Sequence, residues 1–134
     1  MTQCSLFVRN ARLDAQIAAI GASPVLELRS GPPPRNCAET STGLLIAAQT
    51  LPASWMTAAA HGLCVMKGPW LLSALIKGTI GHFRLIGSNT KLCHMQGTAS
   101  SDYAGDSDMI VDSDNVEPNQ SIVISMFQLR AGNP

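Results

Sequence analysis

Apolar and polar residues alternate over short stretches of the chain, and turn-forming Gly, Pro, Asn and Ser interrupt these stretches. The clearest example is 79–98, in which two extended runs flank the sequence Gly-Ser-Asn-Thr. Alternation with a period of two is typical of a strand with one buried face. We therefore predict a β-hairpin over 79–98.

The turn of this hairpin decides which side chains share a face, because a one-residue slip inverts every side chain of a strand. A four-residue loop would mix apolar and polar side chains on both faces. A three-residue loop over 88–90 pairs Phe83 with Met95 and Leu85 with Cys93, and such loops are common in hairpins. We predict this loop, which collects four polar side chains on the opposite face: His82, Arg84, His94 and Gln96.

The pattern as a whole predicts a mainly β fold, with short strands separated by turn signals. We interpret it as a jelly-roll-like antiparallel β-sandwich with one or two short helices. We expect a single domain over 1–134, in which 1–8 is an N-terminal arm or edge strand and 131–134 is a tail. Further strands are expected at 25–30, 44–51, 63–66, 109–111 and 121–130, whereas 70–76 could be strand or helix.

Two segments carry helix signals. The first is 11–20, where Asn10 is a candidate N-cap and Gly21 a stop signal. The second is 53–60, because Pro52 suits the first position of a helix. Both helices are short, so neither changes the prediction of a mainly β fold.

Composition narrows the classes of partner. Charged residues make up 13% of the 134 residues, against an average of about 25% in soluble proteins. The net charge is zero, so we expect neither general nucleic-acid binding nor binding to an anionic membrane. So few charges suggest that a partner or neighbouring subunits cover part of the surface.

Four cysteines are widely spaced along the chain, at Cys4, Cys37, Cys64 and Cys93. They lack the short paired spacing of zinc ligands. The first twenty residues lack a secretory signal, and no apolar stretch approaches the length of a membrane span. We therefore expect free thiols in a reducing cytoplasm. In the predicted hairpin register, Cys93 has no cationic neighbour on its own face, so we expect a packing thiol rather than a nucleophile.

Other candidate chemistry is weak. The three histidines, His61, His82 and His94, lack the close pair and the carboxylate that a jelly-roll metalloenzyme needs. Five acids between 106 and 117 invite a calcium site, but an apolar stretch over 109–111 interrupts the required spacing. We therefore expect no catalytic residue, no cofactor and no metal.

Several stretches resemble a group of small structural proteins from the virions of tailed bacteriophages. They are turn and core signatures at 10–14, 26–31 with Pro33, 51–55, 81–84 and 93–97. The resemblance implies a β-rich virion component, and our preferred assignment is a cement, or decoration, protein of the capsid. It implies the major capsid protein as partner, a homo-oligomer (dimer or trimer) on the shell, and a place on the capsid exterior after synthesis in the bacterial cytoplasm.

Two alternatives stay open. One is another virion component, such as a tail, fibre or head-completion protein. The other is a jelly-roll module that binds a ligand or a carbohydrate. For any of these roles we expect a contact surface that combines the polar hairpin face with the apolar stretch after Pro69, namely His82, Arg84, His94, Gln96, Trp70, Leu71 and Leu72.

Overall fold

The computed structural model of the protein describes residues 2–132. One helix, α1 (Leu6–Ile20), precedes the strands. The strands are β1 (Val25–Ser30), β2 (Leu45–Thr50), β3 (Leu63–Val65), β4 (Leu71–Ser73), β5 (Gly78–Ile86), β6 (Cys93–Ser100), β7 (Met109–Val111), β8 (Asn115–Val116) and β9 (Ser121–Arg130). They pair in the order β2-β1-β5-β6-β7-β9-β3, while β4 adds to β9 and β8 adds to β5.

The sheet is mixed and curls into a half-barrel. β6 and β7 run parallel, because the loop over 101–108 returns the chain so that Met109 lies beside Ala99 in the same direction. The prediction of a mainly β fold is therefore confirmed. The prediction of a purely antiparallel sheet is wrong, and the two-sheet sandwich is not confirmed.

The helix begins earlier than predicted. Ser5 is the N-cap, since its Oγ accepts a hydrogen bond from the backbone N–H of Val8 at 3.3 Å. Gly21 ends α1 as predicted, and its N–H donates to the carbonyl of Ile17. The predicted cap at Asn10 is wrong. The predicted arm or edge strand over 1–8 is wrong at 6–8, which form the first turn of α1, and residue 1 lies outside the described residues.

The second predicted helix, over 53–60, is wrong. This segment pairs with β3 instead, through reciprocal backbone hydrogen bonds between Ala60 and Leu63. His61 and Gly62 both have positive φ, at 55° and 73°, which is the geometry of a two-residue hairpin turn. Side chains of α1 hold this hairpin: Asn10 Oδ1 accepts from Gly62 N at 2.8 Å, and Asp14 Oδ1 accepts from Ala59 N at 2.9 Å.

Four aromatic residues form the centre of the core. The ring centroids of Trp55 and Trp70 are 6.3 Å apart, those of Trp70 and Phe127 are 5.8 Å apart, and those of Phe83 and Phe127 are 5.3 Å apart. All four side chains are almost completely buried. The chain of rings joins β5 and β9 with the segments before β3 and β4, so it links distant parts of the sheet.

The β5–β6 hairpin keeps the predicted faces of β5, but the predicted three-residue loop over 88–90 is wrong: the connection spans 87–92, and the partners shift by two residues. Leu85 pairs with Met95 and Phe83 pairs with Gly97. An irregularity between Leu85 and Ile86 then places Ile86 opposite Cys93. Phe83, Leu85 and Met95 pack in the core as predicted, whereas Cys93 lies on the opposite face, where its sulfur accepts a hydrogen bond from a β5 side chain.

Ala131, directly after β9, is still held by the neighbouring segment. The N–H of Ala131 donates to the carbonyl of Gly62 at 3.0 Å, and the Ala131 side chain packs against the core. The predicted tail is therefore wrong at 131, and 133–134 lie outside the described residues. No helix between residues 2 and 132 is long and apolar enough to cross a membrane.

The aromatic cluster leads to a first prediction. Replacing Phe127 with alanine removes the ring that contacts both Trp70 and Phe83, so we expect the free energy of unfolding to fall by about 3–5 kcal/mol. Urea unfolding followed by tryptophan fluorescence measures it. Phe7→Ala is the matched control, because Phe7 is 81% exposed and its loss is expected to cost less than about 0.5 kcal/mol. Equal effects of the two substitutions would contradict the central role of Phe127.

Candidate functional site

The polar face predicted on the β5–β6 hairpin lies inside the protein. The loop over 31–44 folds across it and leaves His82 and Arg84 0% and 2% exposed. Gly81 permits this close approach, because a Cβ at that position would collide with the carbonyl oxygen of Gly31. His82 and Arg84 are therefore covered by the protein's own loop and do not form the exposed contact surface that we expected.

The Arg84 side chain holds this loop in place. Its guanidinium donates from Nη1 to Ser41 Oγ at 2.6 Å, from Nη2 to the carbonyls of Cys37 at 2.7 Å and Glu39 at 3.1 Å, and from Nε to Cys93 Sγ at 3.2 Å. No carboxylate among residues 2–132 forms an ion pair with it. Carbonyl, hydroxyl and thiol groups therefore solvate this buried charge.

Two thiols lie beside the guanidinium. The irregularity in the hairpin turns Cys93 toward Arg84, so the expectation that Cys93 has no cationic neighbour on its face is wrong. Burial raises the pKa of Cys37 to about 11, its hydrogen bond with Cys93 and the charge of Cys93 add to this rise, and Arg84 opposes it. Cys37 is thus a neutral thiol near pH 7. Both cysteines are free.

His82 is a neutral imidazole. Its Nδ1 lies 2.8 Å from the carbonyl oxygen of Gly31 and donates to it, while its Nε2 is buried without a partner. Burial lowers the pKa of His82, and the nearby charges of Arg29 and Arg84 act in the same direction, although the Gly31 carbonyl opposes them. A second proton would have to sit on Nε2, where no acceptor is available.

Gln96 completes the set of donors under the loop. Its Nε2 donates to the carbonyl of Pro34 at 2.7 Å, which fixes the orientation of the amide. His82, Arg84 and Gln96 therefore all point hydrogen-bond donors at carbonyls of the same loop. Proline supplies a carbonyl but no N–H, so a proline-rich loop suits this donor-rich face.

The other residues of the expected contact surface are scattered. His94 lies at the hairpin turn, where its Nε2 is 2.7 Å from Thr90 Oγ1. Trp70 and Leu72 are core residues, at 1% and 4% exposed, because β4 directs alternate side chains inward. Leu71 is 55% exposed. The structure therefore brings together His82, Arg84 and Gln96, and leaves only Leu71 of the apolar group on the surface.

A cleft of about 430 Å³ opens between β6 and β9. Its lining includes apolar side chains from both strands, together with Gln16 of α1 and Asp108 at one end. Pockets of this size are typical of binding sites. The sequence pattern did not predict it, since it arises from the shortness of β7; the apolar stretch over 109–111 between two acidic loops is the signal that could have indicated it.

The acids have structural roles. Asp108 Oδ2 accepts from the N–H and hydroxyl of Thr98, and Asp112 Oδ1 accepts from the N–H of Val123. Among the residues that the structure describes, no three His, Cys, Asp or Glu side chains are grouped so that they could hold a metal ion.

No protein-family model, curated protein or solved structure matches the chain. The virion assignment therefore stays a prediction that rests on the short stretches of resemblance.

The buried guanidinium leads to a second prediction. Arg84→Met leaves the loop acceptors unsatisfied, so we expect the free energy of unfolding to fall by at least about 1–3 kcal/mol. We also expect trypsin to cleave faster after Arg35, whose side chain is 89% exposed in the loop. Glu39→Gln is the control: it removes only the exposed ion pair with Arg35 and is expected to cost less than about 1 kcal/mol. Unchanged proteolysis of Arg84→Met would show that the loop does not depend on Arg84.

The buried imidazole leads to a third prediction. Because the pKa of His82 is lower in the folded than in the unfolded chain, the unfolded chain takes up a proton first as the pH falls. Stability is therefore complete above about pH 6.5 and is lost below it, with a slope of at most about 1.4 kcal/mol per pH unit. Urea unfolding at pH 7.5, 6.5 and 5.5 measures this fall. It should weaken in His82→Gln and persist in His94→Gln; an identical fall in both variants would exclude His82 as its source.

Proposed function

We propose that the chain is a non-enzymatic structural protein of a tailed-phage virion, namely a cement or decoration protein that binds the major capsid protein on the outside of the shell. The short stretches that resemble virion proteins support this assignment. The proposed action is mechanical. The protein clamps adjacent capsid subunits and so resists the pressure of the packaged DNA.

The observation that carries the proposal is an apolar pair on the outer face of β4 and β9. Leu71 and Val123 are direct cross-strand partners, and they are 55% and 36% exposed. Their neighbours Leu72 and Ile122 point into the core, so the core lies directly behind the apolar pair. Covering such apolar area stabilises a complex by about 25 cal/mol per Å².

A second apolar group lies on the first turn of α1. Leu6, Phe7 and Val8 are 42%, 81% and 43% exposed. Two separate apolar groups suit a clamp, which has to contact one neighbour at each end. One of them also suits contact with another copy of the chain, in line with the homo-oligomer that we propose on the shell.

The alternatives have less support. A carbohydrate-binding module needs exposed aromatic platforms, but Trp55 and Trp70 are both 1% exposed and Tyr103 lies alone in the loop over 101–108. A tail, fibre or head-completion protein would use the same apolar surfaces, and its position on the virion distinguishes it from a cement protein.

The capsid assignment leads to a fourth prediction. Purified protein added to mature capsids that lack it should bind at a fixed ratio and raise their temperature of rupture. The double variant Leu71→Glu/Val123→Lys replaces the apolar pair with opposite charges that are compatible with cross-strand pairing. We expect its affinity for capsids to fall by at least about tenfold, or about 1.4 kcal/mol.

Leu92→Lys is the matched control, since Leu92 is 63% exposed but lies in the β5–β6 turn. It should bind like the unmodified protein, and circular dichroism should show that both variants are folded. Protein that leaves the rupture temperature unchanged and does not bind capsids would overturn the proposal. Electron density at a single vertex would instead assign the protein to the tail or to head completion.

A further inference from the structure

The cleft between β6 and β9 is the continuation of the position that β7 occupies. β7 pairs with β6 through Ala99 and Ser100 and with β9 through 124–127, so it fills the space between them. It contains only three residues, Met109–Val111. On the N-terminal side of Met109, no strand of the described chain lies between β6 and β9. We call this empty strand position the slot, and it is about one strand wide where β7 enters it.

The β6 side of the slot has free backbone groups. The N–H of Thr98 points away from β5, since it donates to Asp108 at the end of the slot. Alternate residues of a strand point their N–H and C=O groups to the same side. The N–H and C=O of Gln96 therefore point into the slot, whereas those of Met95 and Gly97 point to β5, with which these residues pair.

The β9 side has free backbone groups as well. The carbonyl of Phe127 accepts from Met66 N, and the N–H of Ala131 donates to Gly62, so both residues point to the side of β3. The intervening residues Gln128 and Arg130 then point their N–H and C=O groups into the slot. Two strand edges thus face each other across an unfilled position.

The face of the slot toward the core and the face toward the outside carry different side chains. Phe83, Met95, Phe127 and Leu129 line the inner side, and all four belong to the core or pack against it. Gln128 and Arg130 lie on the outer side, and Arg130 forms no ion pair with any residue between 2 and 132. An occupant would therefore meet apolar surface on one face and polar groups, including a cation, on the other.

We propose that the slot binds an extended segment of a partner protein as an additional strand. The segment runs in the direction of β7, parallel to β6 and antiparallel to β9. Its backbone pairs with Gln96 on one side and with Gln128 and Arg130 on the other, which is the strand-addition mode of peptide recognition. It carries apolar residues at alternate positions, toward Phe83 and Phe127, and an acidic residue near Arg130. This inference does not depend on the capsid assignment.

The first test uses two libraries of synthetic octapeptides, acetylated and amidated at their ends. One alternates Val, Leu or Ile with Thr, Ser or Glu, and the other contains the same residues in two blocks. Binders are expected only from the alternating library. The amide exchange of the ¹⁵N-labelled protein is then measured with and without the best binder, at about 100 times its Kd, where protection by up to about 100-fold is expected.

The pattern of protection identifies the slot. The amides of Gln96, Gln128 and Arg130 should exchange rapidly in the free protein and slowly in the complex. Those of Met95, Gly97 and Leu129 lie in the same strands but point to β5 or β3, so the peptide should leave them unchanged. A peptide with N-methyl groups on alternate residues, which cannot donate those hydrogen bonds, should bind at least tenfold more weakly.

Gln128→Pro tests the slot from the side of the protein. Proline is tolerated where a strand N–H has no partner, so this variant should fold and lose peptide binding. Leu129→Pro is the contrasting control, since it removes an N–H that points to β3 and should destabilise the protein. If Gln128→Pro folds and binds the peptide as tightly as the unmodified protein, the proposal is wrong.

Three further results would overturn the proposal. One is the absence of binders from both libraries, and another is a binder that protects amides elsewhere. The third is self-association of the free protein that already protects Gln96, Gln128 and Arg130, because a second copy would then occupy the slot in place of a separate partner. Sedimentation velocity at several protein concentrations detects that case.

Discussion

The burial of Arg84 is the interaction on which one whole face of the sheet depends. A guanidinium stays charged inside a protein and carries five N–H donors. Arg84 is 2% exposed, and its hydrogen-bond partners are carbonyls, a hydroxyl and a thiol rather than a carboxylate. Burying a charge is unfavourable unless such partners are in place. The loop over 31–44 therefore has one position in which Arg84 is satisfied, and in that position it also covers His82 and Gln96.

Other polar side chains of this chain also form hydrogen bonds with the backbone of a neighbouring element. Asn10 and Asp14 on α1 accept hydrogen bonds from backbone N–H groups of the hairpin before β3. Asp112 does the same for β9. Backbone groups at strand ends lack ladder partners and need others. In a chain with so few charges, these side chains serve as connections between elements, which leaves apolar residues such as Phe7 and Leu71 on the surface.

The sequence predicts β1, β5 and β9 well because their residue types favour extended structure, although the alternation of burial in β9 breaks where Ser125 and Met126 are both exposed. The prediction from sequence fails where a contact between residues distant in the chain determines the local structure. Asn10 is a good helix cap by residue type, yet it binds Gly62, and Ser5 caps the helix instead. His61 and Gly62 were predicted to end a helix but form a hairpin turn. Glycine is common in both positions, so its presence alone does not distinguish them.

The candidate site shows the same division. Alternation correctly places His82, Arg84 and Gln96 on one face of the hairpin. No local sequence pattern predicts that the loop over 31–44 covers this face, because the match between its carbonyls and the side-chain donors exists only in the folded structure. The position of Cys93 depends on an irregularity that one residue creates in the ladder, and alternation carries no information about such a shift.

Specific contacts fix the N-terminal end of β7, which is therefore not a frayed strand. The carboxylate of Asp108 accepts a hydrogen bond from the N–H of Thr98, and the Asp108 N–H donates to Thr98 Oγ1. A β7 that began earlier would have used this Thr98 N–H to continue the ladder. Gly97 makes room for this carboxylate, because a Cβ there would lie 2.6 Å from Asp108 Oδ2 and 2.9 Å from the Phe83 ring. Gly97 and Asp108 thus make β7 begin at a defined residue. Since unpaired strand edges favour pairing with another chain, a fold that maintains two of them across one empty strand position is suited to receive one.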